Sequence, residues 1–214
     1  MSRSPREIIE EYFRRGDYTG WYEALYQNAG GDASAVPWAR LSPDRDLIDW
    51  LETDKIDGVR KSAVVVGCGL GDDAEALAER GFAVTAFDIS AEAIRWCRRR
   101  FPESRVEYVA ADLFDLPPAW RGRFDLVLES RTLQSLPWQM NAPAVAHIAA
   151  LVGEAGALLV LCLGRDDHEE RRGIPWAQSR VELEQFQAHE LHERRFDDLR
   201  DPEGHRRFRV VYTR

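Results

Sequence analysis

The sequence predicts an α/β fold with a Rossmann-like, doubly wound and mostly parallel sheet of seven strands. From residue 62 onward, short runs of valine, leucine and phenylalanine alternate with helical stretches, and the runs show little polar alternation. Such runs are typical of strands that are buried on both faces. Their alternation with helices indicates an open sheet that is covered by helices on both sides. Near the C-terminus, two apolar runs around a polar loop predict an antiparallel hairpin.

Five parallel strands and the helices between them are predicted in the central part of the chain. Ser90 and Asn141 are suitable N-caps for two of these helices, and Gly81 is a suitable stop for a third. The predicted strands cover residues 63–66, 82–87, 106–109, 124–128 and 157–163, and the hairpin strands lie within residues 189–196 and 205–214.

The N-terminal part of the chain has a helical pattern with one apolar face per helix. Ser4 to Glu7 form a capping box with proline at the first helical position. A second helix is predicted around Trp21 to Tyr26, and Ser42-Pro43 is predicted to open a third. Three short helices before the first strand indicate a helical lid.

The whole chain, residues 1–214, is predicted to be one domain because no linker is long enough to divide it. Residues 1–58 would form the N-terminal lid, and residues 62–163 the core that binds the cofactor. Residues 164–214 would add a loop, a helix and the hairpin on the substrate side.

Charge and composition narrow the class of partner. The formal net charge of −8 and the pI of about 5.2 argue against nucleic acid or an anionic membrane surface. No apolar run reaches transmembrane length, and the first residues lack the core of a signal peptide. The three cysteines, Cys68, Cys97 and Cys162, lie among apolar residues and are expected to be free thiols. We therefore expect a soluble, cytoplasmic protein.

A glycine-rich turn, Gly67 to Gly71, follows the first predicted strand and precedes a helix. Its glycines allow a tight turn and a close approach of the backbone to a ligand. A dinucleotide fingerprint would require glycine at position 72, where this chain has Asp72. Asp72 and Asp73 would stand where a pyrophosphate binds. The turn therefore favours a nucleoside without phosphates, and a nicotinamide oxidoreductase is the least favoured class.

Two acidic residues follow the next two strands at positions suited to a nucleoside. Asp88 lies 21 positions after Gly67 and can accept hydrogen bonds from both ribose hydroxyls, although an acid near the helix cap Ser90 could also be structural. Asp112 could accept a hydrogen bond from the exocyclic amine of adenine. We count the neighbouring Ile89 and Leu113 with them, since they occupy the same strand ends.

At these residues the chain resembles the class I S-adenosylmethionine-dependent methyltransferases, over residues 62–163. The resemblance implies S-adenosylmethionine as the cofactor. It also implies that Gly67, Cys68, Gly69 and Gly71 pass under the amino-acid and ribose portions of the cofactor, that Asp88 holds the ribose, and that Asp112 holds the adenine amine.

Three further motifs resemble the thiopurine methyltransferase-like branch, which includes thiol, halide and tellurite methyltransferases. They are Pro37-Trp38, the stretch from Phe124 through Pro137, and Gly173 to Trp176 before a capped helix. The chain departs from the branch after the fourth strand. There it has Glu129-Ser130-Arg131, where the branch commonly has adjacent Asp and Arg.

Tryptophans outside the predicted core are candidates for a lid and a pocket. Aromatic faces attract a sulfonium cation by about 0.5–2 kcal/mol each. Trp38 is assigned to the cofactor, and Trp21, Trp138 and Trp176 to the acceptor, with burial in the core as the alternative for each. Trp50 and Trp96 lie on helix faces and are expected to be core residues.

The sequence shows no convincing general base, so no catalytic residue is assigned. Glu129 is a candidate for the amino group of the cofactor. No metal site is expected, since His189 and His192 would point to opposite faces of a strand. Thiolates and similar soft nucleophiles need no base once they are ionised. Arg131 is a candidate for attracting such an anion, with a structural ion pair as its alternative.

These observations favour methyl transfer from S-adenosylmethionine to a small molecule, with a thiol or another soft nucleophile as the acceptor. Two alternatives remain open. One is O- or N-methylation of a small metabolite, and the other is a non-catalytic module that binds S-adenosylmethionine.

Overall fold

The computed structural model describes residues 3–214, so the first two residues of the predicted lid lie outside it. Within this range seven strands form one sheet, with helices on both sides. The strands are β1 (Ser62–Val66), β2 (Ala83–Asp88), β3 (Glu107–Ala110), β4 (Phe124–Ser130), β5 (Val152–Leu163), β6 (His192–Arg200) and β7 (Arg206–Thr213). The helices are α1 (Pro5–Arg14), α2 (Gly20–Ala29), α3 (Arg45–Thr53), α4 (Asp72–Glu79), α5 (Ala91–Arg100), α6 (Trp138–Leu151) and α7 (Arg180–Leu183).

The strand order β3-β2-β1-β4-β5-β7-β6 confirms the predicted fold class. Strands β1 to β5 are parallel, and β7 runs antiparallel to both β5 and β6. Because β1 pairs with β2 on one side and β4 on the other, the winding direction reverses at β1. In open α/β sheets this reversal leaves a crevice at the carboxyl ends of the strands, where ligands bind.

The sheet is buried on both faces, which explains why its strands lack polar alternation. Successive residues of β1 pack into different hydrophobic clusters, Val64 and Val66 on one face and Ala63 and Val65 on the other. This follows from the two-residue period of a strand.

The N-terminal helices form a third cluster beside the sheet. Helix α1 starts at the predicted capping box, in which the Ser4 backbone N–H donates to Glu7 Oε2 at 2.8 Å. Ile8 of α1 and Trp21 of α2 pack in this cluster with Trp96 of α5. Trp96 is therefore a core residue, as predicted. Trp50 is one as well, in the cluster that also contains Ala63 and Val65.

Two predicted helix starts are wrong. Helix α3 begins after Asp44, not at Ser42-Pro43, because the Asp44 side chain accepts the Asp46 N–H at 2.9 Å. Helix α6 begins at Trp138, so Asn141 lies inside it and is not its N-cap. The buried Asn141 amide instead donates to Gln178 Oε1 at 3.1 Å, a tertiary contact that local sequence does not reveal.

The C-terminal hairpin is confirmed, but its first strand starts later than predicted. His189 ends a 3₁₀ turn, and β6 begins only at His192. The argument that these two imidazoles lie on opposite faces of one strand therefore does not apply. Among residues 3–214, no helix combines the length and apolarity that crossing a bilayer requires.

Candidate cofactor and acceptor site

A cleft of about 580 Å³ opens at the carboxyl ends of the parallel strands. We call the part lined by the turns after β1, β2 and β3 the cofactor end. The part lined by the turns after β4 and β5 and by the β6–β7 turn is called the acceptor end. Residues from the N-terminal segment, including Trp38 and Asp44, line the same cleft.

The glycine turn at the cofactor end has a backbone that other residues would strain. Gly67 and Gly71 have φ angles of 59° and 90°, in the left-handed region. A Cβ on Gly67 would collide with Thr132 Oγ1, and one on Gly71 would lie 2.5 Å from Tyr108 Oη. Thr132 Oγ1 also donates to the Val66 carbonyl at 3.0 Å. The turn is therefore a closely packed cradle at the cleft wall.

Cysteines lie directly beside this cradle. Cys68 lines the cleft, while Cys97 of α5 is buried and donates its thiol to the Gly69 carbonyl at 3.2 Å. These two cysteines and Cys162 are free thiols, as predicted.

The first residues of α4 are unsuited to a diphosphate. Arg100 donates two hydrogen bonds to the Asp72 carboxylate, at 2.8 and 2.7 Å. Asp73 accepts the Asp44 N–H at 2.6 Å, and burial raises the pKa of Asp73 to about 6. Carboxylates thus occupy the helix N-terminus where phosphate would otherwise bind. The geometry agrees with a nucleoside ligand.

Asp88 joins the glycine turn to the start of α5. Its two oxygens accept the N–H groups of Gly69 and Ser90, each at 2.9 Å. Burial raises the pKa of Asp88 to about 6. Each carboxylate oxygen has a second lone pair, so Asp88 keeps the capacity to accept two ribose hydroxyls.

The turn after β3 provides the remaining wall of the cofactor end. Asp112 is exposed, and its Oδ1 accepts the Phe114 N–H at 2.9 Å. Leu113 is buried, and it lines the cleft together with Ile89. An acidic edge beside apolar side chains suits a flat base with an exocyclic amine.

Four aromatic side chains form one wall of the cleft, which we call the aromatic wall: Trp21, Tyr22, Tyr26 and Trp38. The Trp38 ring is 39% exposed, and its centroid lies 5.8–6.0 Å from the other three. Its indole N–H donates to Tyr26 Oη at 2.9 Å. Sequence reasoning assigned the two tryptophans but missed both tyrosines, whose helical spacing resembles that of ordinary core residues.

Two predicted acceptor residues lie outside the cleft. The Trp138 ring packs under Arg171, 3.6 Å from its guanidinium carbon, in a separate surface groove. Its position at the start of α6 turns it toward the loop that follows β5. Trp176 instead stacks on Phe13 of α1. The segment before it contributes Ile174 and Pro175 to the cleft in its place.

Glu129 also lies away from the cleft, beneath the turn that follows β4. It is fully buried, and its Oε1 accepts the Leu133 N–H at 2.9 Å. Its Oε2 has no hydrogen-bond partner among residues 3–214, and burial raises the pKa of Glu129 to about 7. In this geometry Glu129 supports the turn, and it is not among the residues that line the cleft.

Arg131 lines the acceptor end, but its charge is compensated. Its Nε and one terminal nitrogen lie 2.9 and 2.8 Å from Asp44 Oδ2. Asp44 is buried, whereas 20% of the Arg131 side chain is exposed. The contact corresponds to the structural alternative, an ion pair, and leaves Arg131 less able to attract an anion.

The β6–β7 turn brings Asp201 and His205 to the acceptor end, and the start of β7 brings Arg207 there. Sequence reasoning missed all three. His205 Nδ1 lies 3.0 Å from Asp201 Oδ2. The sequence signal was the polar loop between the hairpin strands, but its position beside β5 is fixed only by strand pairing. The ligand atoms of Asp201, Glu203 and His205 lie within 4.8 Å of one another, as is common in exposed polar turns.

Known proteins with similar sequences include methyltransferases. A family model described as a methyltransferase domain matches residues 63–156. An Arabidopsis thaliana protein named probable thiol methyltransferase 2 is 25% identical over 177 residues, which are 81% of this chain and 73% of that protein. A ubiquinone biosynthesis O-methyltransferase of Azotobacter vinelandii is 34% identical over 132 residues, or 61% of this chain. The chain spans only 55% of the length of that relative.

A solved structure gives the same fold over almost the whole chain. It is Burkholderia thailandensis 1,6-didemethyltoxoflavin-N1-methyltransferase with bound 1,6-didemethyltoxoflavin and S-adenosylhomocysteine. The TM-score is 0.69 at 20% identity, covering 99% of this chain and 91% of that chain. With the matched family model and the cradle at the cofactor end, these similarities support a class I S-adenosylmethionine-dependent methyltransferase.

Proposed function

We propose that this methyltransferase acts on a small molecule whose nucleophile is a thiol or a similar soft atom. The observation that carries the proposal is the ion pair of Asp44, an acid in the wall of the cleft beside Arg131. Asp44 is paired with Arg131, and Asp73 accepts a backbone N–H. The ion pair with Arg131 makes the Asp44 carboxylate a poorer base for an alcohol or an amine. A thiol ionises near neutral pH and needs no such base.

Sequence similarity supports the same class of acceptor. The Arabidopsis relative is named a thiol methyltransferase, and the motifs around Trp38 and Gly173 resemble a branch that methylates soft nucleophiles. The similarity to an O-methyltransferase covers a smaller share of this chain.

S-adenosylmethionine supplies an electrophilic methyl carbon on a positively charged sulfur. We propose that the glycine cradle, Asp88 and Asp112 hold its nucleoside, with Ile89 and Leu113 as apolar contacts. The aromatic wall suits a sulfonium, and it also limits the access of water. A thiolate at the acceptor end would attack in line, forming a carbon–sulfur bond as the sulfonium bond breaks. Holding both reactants in line provides much of the rate.

A second candidate, O- or N-methylation, is favoured by one contact. The hydrogen bond between Asp201 and His205 orients an imidazole at the acceptor end, an arrangement typical of a general base. Glu129 does not fit this role, because its carboxyl group is buried outside the cleft.

Thiophenol, phenol and aniline carry different nucleophilic atoms on the same benzene ring, so they separate these candidates. Formation of S-adenosylhomocysteine is measured at pH 9 for the native protein and for His205→Asn. We expect turnover of thiophenol, and we expect the substitution to leave its rate nearly unchanged. Turnover of phenol or aniline that falls roughly 10²–10⁴-fold in His205→Asn would instead establish the second candidate. Binding of S-adenosylmethionine without turnover of any acceptor would indicate a non-catalytic module.

A further inference from the structure

Arg207 occupies the wall of the acceptor end. It lies on β7 directly opposite Leu163 of β5, and both residues line the cleft. Only 11% of the Arg207 side chain is exposed. A guanidinium this deeply buried normally has several partners, because burying an unpaired charge is costly.

The contacts of Arg207 leave part of its guanidinium unused. One terminal nitrogen lies 3.3 Å from Asp46 Oδ1, and Nε has no hydrogen-bond partner among residues 3–214. Arg209, two residues along the same strand, is well paired. Its Nε donates to Asp197 Oδ2 at 2.8 Å, and a terminal nitrogen donates to the Asp46 carbonyl at 3.1 Å. The two arginines therefore differ in the donors that remain.

The terminal nitrogens of Arg207 are the donors that a ligand can reach, since Nε itself is buried. One of them is held by Asp46. The other makes no hydrogen bond or ion pair within the described part of the chain. Asp46 thus fixes the guanidinium in place and leaves a donor edge at the cleft.

The acids around this edge favour a ligand of low charge. Asp44 is compensated by Arg131, and Asp201 contacts His205. The carboxylates of Asp44, Asp46 and Asp201 would still repel a dianion such as a phosphate more strongly than a monoanion. A carboxylate also matches the planar fork of an arginine.

We propose that Arg207 binds a carboxylate of the methyl acceptor, so that the acceptor is a small organic acid carrying a thiol. The thiol in this statement rests on the proposed function, whereas the carboxylate rests on Arg207. Arg207 then determines specificity, because it selects the acid over neutral thiols of the same shape.

Two aliphatic thiols, which stay protonated at neutral pH and differ only in the charge of the carboxyl group, test the inference: 3-mercaptopropionate and 3-mercaptopropionamide. Their binding to the complex of the protein with S-adenosylhomocysteine is measured by calorimetry, for native protein and for Arg207→Gln. We expect the native complex to bind the acid at least about tenfold more tightly than the amide, the scale of one hydrogen bond to a charged group. Arg207→Gln should remove this preference and leave the dissociation constant of the amide unchanged.

Arg194→Gln is the matched control. Arg194 lies on the neighbouring strand β6, is exposed, contacts Thr213 Oγ1 at 3.0 Å, and loses the same charge on substitution. The Arg194→Gln variant should keep the full preference for the acid. Arg207→Lys keeps a positive charge beside Asp46, so it remains informative if the glutamine variant does not fold. We expect it to bind the acid more weakly than native protein, since an ammonium lacks the fork.

The outcomes separate the two proposals. Equal binding of acid and amide by the native complex would overturn the role of Arg207. An equal loss of affinity for both thiols in Arg207→Gln would also overturn it, because such a loss indicates that Arg207 is a structural residue. Preferential binding of the acid without methyl transfer to its sulfur would contradict the thiol acceptor and leave the carboxylate site intact.

Discussion

Replacing Asp88 with asparagine is expected to weaken the binding of S-adenosylhomocysteine by roughly 1–3 kcal/mol, which is about 5- to 150-fold in the dissociation constant. The substitution removes the charge and one acceptor oxygen, while the remaining oxygen can still accept one of the N–H groups of Gly69 and Ser90. Calorimetry on the folded variant measures the effect. Asp88 would have no place in the cofactor site if the affinity were unchanged.

Asp125→Asn provides a matched control for this measurement. Asp125 is also an aspartate in a strand that accepts a backbone N–H, here from Ser62 at 2.7 Å. It lies at the start of β4, at the opposite end of the sheet from the cleft. We expect this variant to bind S-adenosylhomocysteine as tightly as native protein does.

The same site predicts a pH dependence of binding. Burial raises the pKa of Asp88 to about 6, so its carboxylate gains a proton as the pH falls through that value. A protonated carboxyl group accepts hydrogen bonds less well, and affinity should therefore be constant above pH 7 and fall below pH 6. The dependence should be smaller in Asp88→Asn. A residual part is expected from Asp73, whose pKa burial also raises to about 6.

Glu129→Gln is expected to change the way stability depends on pH. Burial raises the pKa of Glu129 from 4.5 to about 7 in the folded protein. Between these values the folded state holds a proton that the unfolded chain has released, so the free energy of unfolding falls as the pH rises. Glutamine does not titrate. Between pH 4.5 and pH 8 the free energy of unfolding of the variant should therefore rise by up to about 3 kcal/mol relative to that of native protein.

Urea denaturation of both proteins at pH 5 and pH 8 measures this gain. The buried amide of the variant lacks a partner for its N–H groups, but that cost is the same at both pH values and cancels in the comparison. An equal difference in stability at the two pH values would contradict the raised pKa. We also expect unchanged binding of S-adenosylhomocysteine, since Glu129 does not line the cleft.

Local sequence patterns were sufficient for the elements of this fold. The glycine turn, the unbroken apolar strands and the capping box at Ser4 each reflect conformational preferences over a few residues. Helix starts were less reliable. Helix α3 is capped by Asp44 and not by Ser42, and helix α6 starts at Trp138 and not at Asn141. Several nearby residues have similar capping preferences, and tertiary contacts select among them.

The sequence by itself indicated that Gly67, Asp88 and Asp112 meet at the cofactor end, since each lies at the end of a parallel strand and such strands end at one edge of the sheet. Only the tertiary structure decided the acceptor end. The pairing of β7 with β5 brings Arg207 and His205 to the cleft, although they lie far along the chain from the residues of the cofactor end. The Asp44 contact compensates Arg131, and the start of α6 turns Trp138 away. The cofactor end depends on local turns, whereas the acceptor end depends on long-range pairing and charge compensation, which no short stretch of sequence encodes.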